Sequence, residues 1–344
     1  MPTHYHDATP GARAGDRHGD GEPLARPDAR TDLSPSAMAP PRTTPELSVV
    51  VTVVEGGDAV RRMLSTLCQQ HHPPTMEILV SVDDSVRDLL ALAPAFPTVR
   101  FLDLGHVSTA RPITSADGQH ELYDRRRAEA LAAATGEIIA ILEDRGLPRP
   151  DWARTVVQLH AQPWAVIGGA IEAAPSGLIA WALYVCDFSR YALPFAAGPA
   201  AWVSDVNVSY KRHALEATRA LWIERFHEPA VHWELLRQGE VLFLTPELVV
   251  DHLRTPSSLL GSLVERFHWG QLFGYIRATE LGIGKRLLLA LAWPLVPPVL
   301  LGRHARVHAR RGEIGRFVVA TPVILGFLIA WALGEAIGTL TGRP

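Results

Sequence analysis

Leu47-Ser-Val-Val-Val-Thr-Val-Val54 is a near-continuous run of β-branched residues. Such a run reads as a strand buried on both faces, which is the habit of a parallel sheet. Gly56-Gly57-Asp58 supplies a turn, and Val60, Met63, Leu64 and Leu67 then recur at helical spacing within 59–70. The alternation continues with a strand over 77–82 closed by Asp83-Asp84-Ser85, a short helix over 86–92 and a third strand over 99–104. A helix over 125–134 ends at Gly136, and a fourth strand over 137–142 runs into Glu143-Asp144-Arg145. Strand–helix alternation of this kind predicts an α/β fold, a mostly parallel sheet with helices on both faces. Ligands of such sheets sit beyond the carboxyl ends of the strands. Glu55, Asp83 and Glu143 all follow strand ends, which makes that edge the expected site.

Outward from this core the texture changes. Residues 164–172 read as a strand, 178–191 as a helix, 203–210 as an extended piece, 228–238 as a helix and 241–244 as a strand. Residues 1–46 hold eight prolines and only isolated apolar residues such as Leu24 and Leu33, too few to offset chain entropy, and read as a disordered tail. That tail lacks the apolar stretch of a secretory signal. The 344-residue chain has 33 Lys and Arg against 36 Asp and Glu, a formal net charge of −3, which argues against a nucleic-acid binder. Two cysteines, Cys68 and Cys186, exclude a disulfide scaffold or a cysteine zinc cluster.

Two apolar blocks close the chain. Residues 287–302 carry no charge but are broken by Pro294, Pro297 and Pro298; residues 317–340 carry one, Glu335. Only the second is long enough for a plain membrane span. Between them lie Arg303, Arg306, Arg310, Arg311 and Arg316, and short basic loops stay cytoplasmic. The first block therefore reads as a proline-bent re-entrant or interfacial segment, and the second as a span or an in-plane helix. A hairpin crossing twice is the alternative.

Taken in order, Ser48–Glu55, Val82-Asp83-Asp84-Ser85, Arg127, Ala134-Thr135-Gly136-Glu137, Glu143-Asp144-Arg145 and Pro148-Arg149-Pro150-Asp151-Trp152 resemble the family 2 glycosyltransferases. Asn207-Val208-Ser209-Tyr210-Lys211-Arg212 is similar to that family's acceptor-side strand, and Glu228, Leu235, Gly239, Pro246 and His252 to its following block. The resemblance implies a GT-A fold, a Rossmann-like mixed sheet with C-terminal membrane-attachment helices. It divides the chain into the tail 1–46, a catalytic domain 47–255, an amphipathic or interfacial connector 256–286 and membrane-associated helices 287–344.

The implied activity is transfer of a sugar from a nucleotide-sugar donor, most readily UDP-linked, with inversion. The implied acceptor is a lipid, polyprenyl carrier or cell-surface glycan at the cytoplasmic membrane face. Glu55 and Asp83 would contact the nucleoside, with Arg127 at a phosphate or paired to Asp83 or Glu143. Glu228 would be the base, since direct displacement needs one carboxylate on the acceptor side. The family uses Asp-x-Asp to hold Mg2+ or Mn2+. Here Arg145 stands at the second Asp position. Three accounts stay open: a metal held by Glu143 or Asp144 with a further ligand such as His252, phosphate contact by Arg145 itself, or a non-catalytic nucleotide-sugar-binding membrane protein. Asn207, Arg266, His268 and Trp269 fall on the acceptor or diphosphate side. The segment 266–271 either closes over that side or lies on the membrane surface.

Overall fold

The computed structural model describes residues 44–174, 177–255, 258–279 and 281–343. The expected tail lies, up to residue 43, outside the described residues.

The chain from Thr44 onward forms one compact unit around a nine-stranded sheet. Its strands are β1 (Leu47–Thr52), β2 (Met76–Asp83), β3 (Val99–Gly105), β4 (Ile138–Glu143), β5 (Gly146–Pro148), β6 (Val166–Ala173), β7 (Gly198–Pro199), β8 (Asn207–Lys211) and β9 (Leu242–His252). They run in the order β3-β2-β1-β4-β8-β6-β9-β5, with β7 on β9. The first four are parallel, and β8 enters antiparallel between β4 and β6. The chain leaves β1 towards β2 and β3, then returns to place β4 on β1's other side. That reversal is a topological switch point, and it opens a crevice at the carboxyl ends of β1 and β4. Thr52 and Glu143 are paired at its floor.

One face of the sheet is covered by α1 (Gly57–Cys68), α3 (Trp152–His160) and α4 (Leu178–Phe188). The other carries α2 (Ala116–Ala133), α5 (Arg212–Ala217), α6 (Arg219–Trp222) and α7 (Glu228–Arg237), packed through Leu131, Trp222, Phe226 and Leu235. Val60, Met63, Leu64 and Leu67 of α1 are buried, as their spacing predicts.

Two elements run longer than their sequence signals. Helix α2 begins at Ala116 rather than near 125, with the Ser115 hydroxyl accepting the Gly118 amide at 3.2 Å. Its first turns carry His120, Glu121, Tyr123 and Asp124 instead of an apolar stripe, so periodicity is silent there. Strand β9 continues past Pro246 to His252. The ladder pairs Thr245 with Gly169 and then Val249 with Ala170, so Pro246 sits in a bulge where no ladder hydrogen bond is asked of it.

Four helices complete the fold: α8 (Leu259–Thr279), α9 (Ile283–Leu291), α10 (Val296–Arg310) and α11 (Ile314–Thr341). The proline-rich block is split between α9 and α10, which bend by 47° at residues 292–295. Helix α11 is long and apolar enough to cross a bilayer. Its first half is nevertheless part of the core: Phe317, Ala320, Ile324, Phe327 and Leu328 pack with α4 and the sheet. Helices α8 and α11 run parallel with glycines facing across the contact. A β-carbon on Gly270 or Gly274 would strike the carbonyl of Trp331 or Glu335, and one on Gly334 or Gly338 that of Phe267 or Gln271. Only glycine allows the two backbones to approach so closely.

Candidate active site

A cavity of about 1000 Å3 opens where the switch point predicts it, walled by the ends of β1 and β4, the first turns of α2, the start of α7, and helices α8, α10 and α11. Its charged floor is organised by Arg127 of α2, which is almost fully buried. The guanidinium meets Asp205 at 2.9 Å, Asp124 at 3.8 Å and Glu143 at 3.9 Å, donates to the Thr52 hydroxyl at 3.0 Å and overlies the Phe226 ring. A buried cation needs such a full set of partners to offset its lost hydration.

Glu228 opens α7 beside Pro229, which suits the first turn of a helix. Its carboxylate accepts the Asp205 amide at 3.3 Å and faces His232 Nδ1 at 3.4 Å. His232 is fully buried and is held in turn by the Tyr210 hydroxyl at 2.7 Å. This chain fixes the carboxylate's orientation. Burial, with the Asp205 charge adding to it, pushes the Glu228 carboxyl above the ordinary range. Burial and Asp205 likewise push Glu143 to about 7, against the pull of Arg127 and Arg145. Asp124 is raised to about 7 by burial.

On the neighbouring wall, Arg145 follows β4, lines the cavity and pairs with Glu55 at 3.3 Å. Tyr123 lies within hydrogen-bond reach of Gln119 and the Val54 carbonyl, at 2.7 and 3.2 Å. Above, Trp269 of α8 meets the His120 ring edge-on at 3.8 Å between centroids. Arg266 ion-pairs with Asp187, which also binds Arg254 at 3.0 Å. These contacts roof the cavity with α8.

Of the residues picked from sequence, Glu143, Arg145, Arg127, Glu228, His252, Arg266 and Trp269 line this one cavity. Glu55 borders it through Arg145. The others are placed differently. Asp83 is buried beneath Arg126, which it meets at 2.5 Å, and also accepts from Ser85; it does not face the cavity. The arginine over Asp83 is therefore Arg126, whereas Arg127 turns to Asp205. Asn207 is 1% exposed, accepts from the Trp152 indole at 2.9 Å and donates to the carbonyls of Ala170 and Leu248. It fastens β8 to its neighbours and does not line the cavity. His268 packs on Phe267 and is not part of the lining.

The expected metal ligands do not form a set. Asp144 spends Oδ2 on three backbone amides, those of Val54, Glu55 and Gly56, at 3.1, 2.9 and 2.8 Å. His252 is buried against Phe188, with its imidazole pushed down to about 3 by burial. Among the described residues no group of three His, Cys, Asp or Glu side chains is arranged to hold a cation. Glu143, Asp144 and His252 therefore do not form a metal site among the described residues.

Asp205 is the residue that pattern reading missed. It sits in the turn before β8, with no strand-end position or motif to mark it, and is brought to the site only by the crossover that inserts β8 beside β4. The polar turn His120–Asp124 did carry a signal, the Ser115 cap.

No family model matches the chain, and no curated protein does. Among solved structures it is similar to the mannosyltransferase PcManGT from Pyrobaculum calidifontis in complex with GDP-Man and Mn2+, at 15% identity and a TM-score of 0.49, covering 88% of this chain and 90% of that one. It is also similar to S. aureus TarS in complex with UDP-GlcNAc, at 11% identity and a TM-score of 0.48, covering 80% and 90%.

Proposed function

We propose that this chain is a nucleotide-sugar-dependent glycosyltransferase of the inverting kind, with Glu228 as base and its acceptor at a membrane surface. The observation that carries the reading is the convergence of Glu228, Asp205, Glu143 and Arg145 on a single cavity at the switch point of a mostly parallel sheet. Arg145 meets the donor diphosphate, exchanging its Glu55 partner for phosphate oxygens, as a guanidinium does well. Glu228 takes the proton from an acceptor hydroxyl as the new C–O bond forms at the anomeric carbon. The bond to the diphosphate breaks, and the leaving group departs with the electron pair, met by positive charge. A carboxyl raised above its ordinary range is the better base near neutral pH.

Association with a membrane is supported by α11 and by exposed Leu288, Leu291, Leu295, Val318 and Val319. Arg311, in the basic turn between α10 and α11, pairs with Glu172 of β6 at 2.8 Å. The proposal accordingly sets the basic turn and the catalytic unit on one side, the cytoplasmic face.

The test is a thermal-shift panel of UDP- and GDP-sugars, with Mn2+ and with chelator. A ligand at a hundred times its Kd stabilises by about 2.7 kcal/mol, a readable shift. A shift by at least one nucleotide sugar, followed by transfer or slow hydrolysis of it, is expected. If no nucleotide sugar moves the transition under either condition, the reading fails.

A further inference from the structure

The stretch of cavity between Arg145 and Glu228, which the sugar itself would fill, is lopsided in charge. Asp124, Glu143, Asp205 and Glu228 all line it. They form one group: the Arg127 guanidinium meets Asp124, Glu143 and Asp205 at 3.8, 3.9 and 2.9 Å, and the Glu228 carboxylate accepts the Asp205 amide at 3.3 Å. Arg127 is the cation of this group, and none of it is left for a ligand. Its side chain is 5% exposed, and all three of its nitrogens face partners: Nη1 faces Asp205 and Asp124, Nη2 faces Glu143, and Nε donates to Thr52. Arg145 also reaches Glu143, but Glu55 holds it and the donor diphosphate claims it in the reading above.

The imidazoles on this stretch supply no charge. His227 and His120 both line the cavity; His227 Nδ1 faces Asp124 at 3.2 Å, and the His120 ring packs against Trp269. Burial pushes both down to about 4, so both are neutral near pH 7. Carboxylates and neutral imidazoles suit a polyol, because their free lone pairs accept from sugar hydroxyls. A carboxylate carried by the sugar would instead meet like charge, with no cation free to pair with it. Such juxtapositions are how a site rejects a wrong partner.

We infer that Asp205, bound to Arg127 beside Glu143 and Glu228, determines the class of sugar transferred: the site takes an uncharged pyranose and rejects a hexuronate. The inference rests on the glycosyltransferase reading and names its sugar class. Asp205 acts twice, adding a negative charge and closing the guanidinium that a sugar carboxylate could otherwise pair with.

The experiment is calorimetry on the full chain in detergent, with Mn2+ and with chelator, at about pH 8, where the raised Asp124 and Glu143 carboxyls are ionised. The probes are two matched pairs, UDP-glucose against UDP-glucuronate and GDP-mannose against GDP-mannuronate, with UDP and GDP alone. For the nucleotide that binds, the uronate is expected to be at least about 30-fold weaker than the hexose. Asp205→Asn removes one charge and loosens the hold on Arg127, and should narrow that ratio by about ten-fold. Glu143→Gln should narrow it less, because Asp205 still closes Arg127. A ratio read within each variant cancels any general loss of donor affinity, and a thermal melt of each controls for folding. Equal affinity for hexose and uronate in the wild-type chain overturns the inference, as does equal failure of both beside a nucleotide that binds. An unchanged ratio in Asp205→Asn also overturns it; if that variant does not fold, an unchanged ratio in Glu143→Gln does so instead. Nucleotide binding without the gap between hexose and uronate sinks this inference alone; absence of any nucleotide or nucleotide-sugar binding sinks the reading beneath it.

Discussion

Glu143 and Glu228 lie close to Asp205 and the Arg127 guanidinium, with Arg145 also reaching Glu143, and burial beside the Asp205 charge sets the behaviour of both. Glu228 has the His232–Tyr210 chain behind it rather than a cation in direct contact, so Asp205 remains an unfavourable neighbour for its charged form. A base must be unprotonated to act. The rate should therefore climb as pH rises through the raised Glu228 value, and the climb should begin above the ordinary carboxylate range. Replacing Asp205 by Asn removes the like charge and should slide that limb to lower pH; a kcat/KM profile that keeps its limb in place would show that Asp205 does not tune the base. Glu228→Gln keeps shape and hydrogen bonding but cannot take a proton. It should cost about 10²- to 10⁴-fold in transfer, the usual worth of a general base, with nucleotide affinity retained. Transfer at the wild-type rate would remove Glu228 from the mechanism.

Among the elements, those built on repetition were legible in the sequence. The β-branched run of β1 and the apolar spacing of α1 state their structures locally, and Glu143, Arg145 and Glu228 could be picked because they follow a strand end or open a helix. What stayed hidden depends on contacts distant in the chain. The bulge that lets β9 pass Pro246 exists because β6 is its neighbour. The cavity-facing start of α2 is polar because it serves a site, and so lacks the apolar period that marks a helix. Asp83 was read correctly as a strand-end acid, but no local pattern tells that Arg126 occupies it. The glycines of α8 and α11 are a further case: each is unremarkable alone, and their meaning lies in the pairing. Gly334→Val would set a branched side chain against the Phe267 carbonyl. Overpacking of this kind costs about 1–3 kcal/mol or more, and should lower the thermal midpoint by several degrees. Gly302→Ala, on the open side of α10, should leave it unchanged. A Gly334→Val midpoint equal to wild type would mean that the two backbones are not in contact.

At the scale of the molecule, α11 serves two roles along its length. Its first half completes the core under α4, while Val318, Val319, Ile329 and Leu333 face outward. A detachable anchor could be cut away to leave a soluble enzyme. Here a chain ending at residue 313 loses Phe317, Ile324 and Phe327 from the core, each of them nearly fully buried. Each buried side chain of this size is worth about 1.5–3 kcal/mol, so the truncated chain should lose cooperative unfolding rather than merely release from membranes. A soluble, cooperatively folding truncation would show the helix to be an appendage. Arg311 ties the same region to β6 through Glu172, and Arg311→Ala should destabilise by about 1.5–3 kcal/mol, the worth of a charge-assisted hydrogen bond, read by urea unfolding.

The glycine seam between α8 and α11 has a mechanical consequence. Helices joined backbone to backbone over several turns behave as one stiff lever. Trp269, midway along α8, rests on His120 above the cavity. Under the proposed function, any motion that lifts Trp269 away to admit a sugar or release a spent nucleotide would drag the outward-facing length of α11 with it. If the proposed membrane association holds, the resistance to that motion is set partly by the lipid around the helix, and a thicker or stiffer bilayer would act as a brake on the proposed activity.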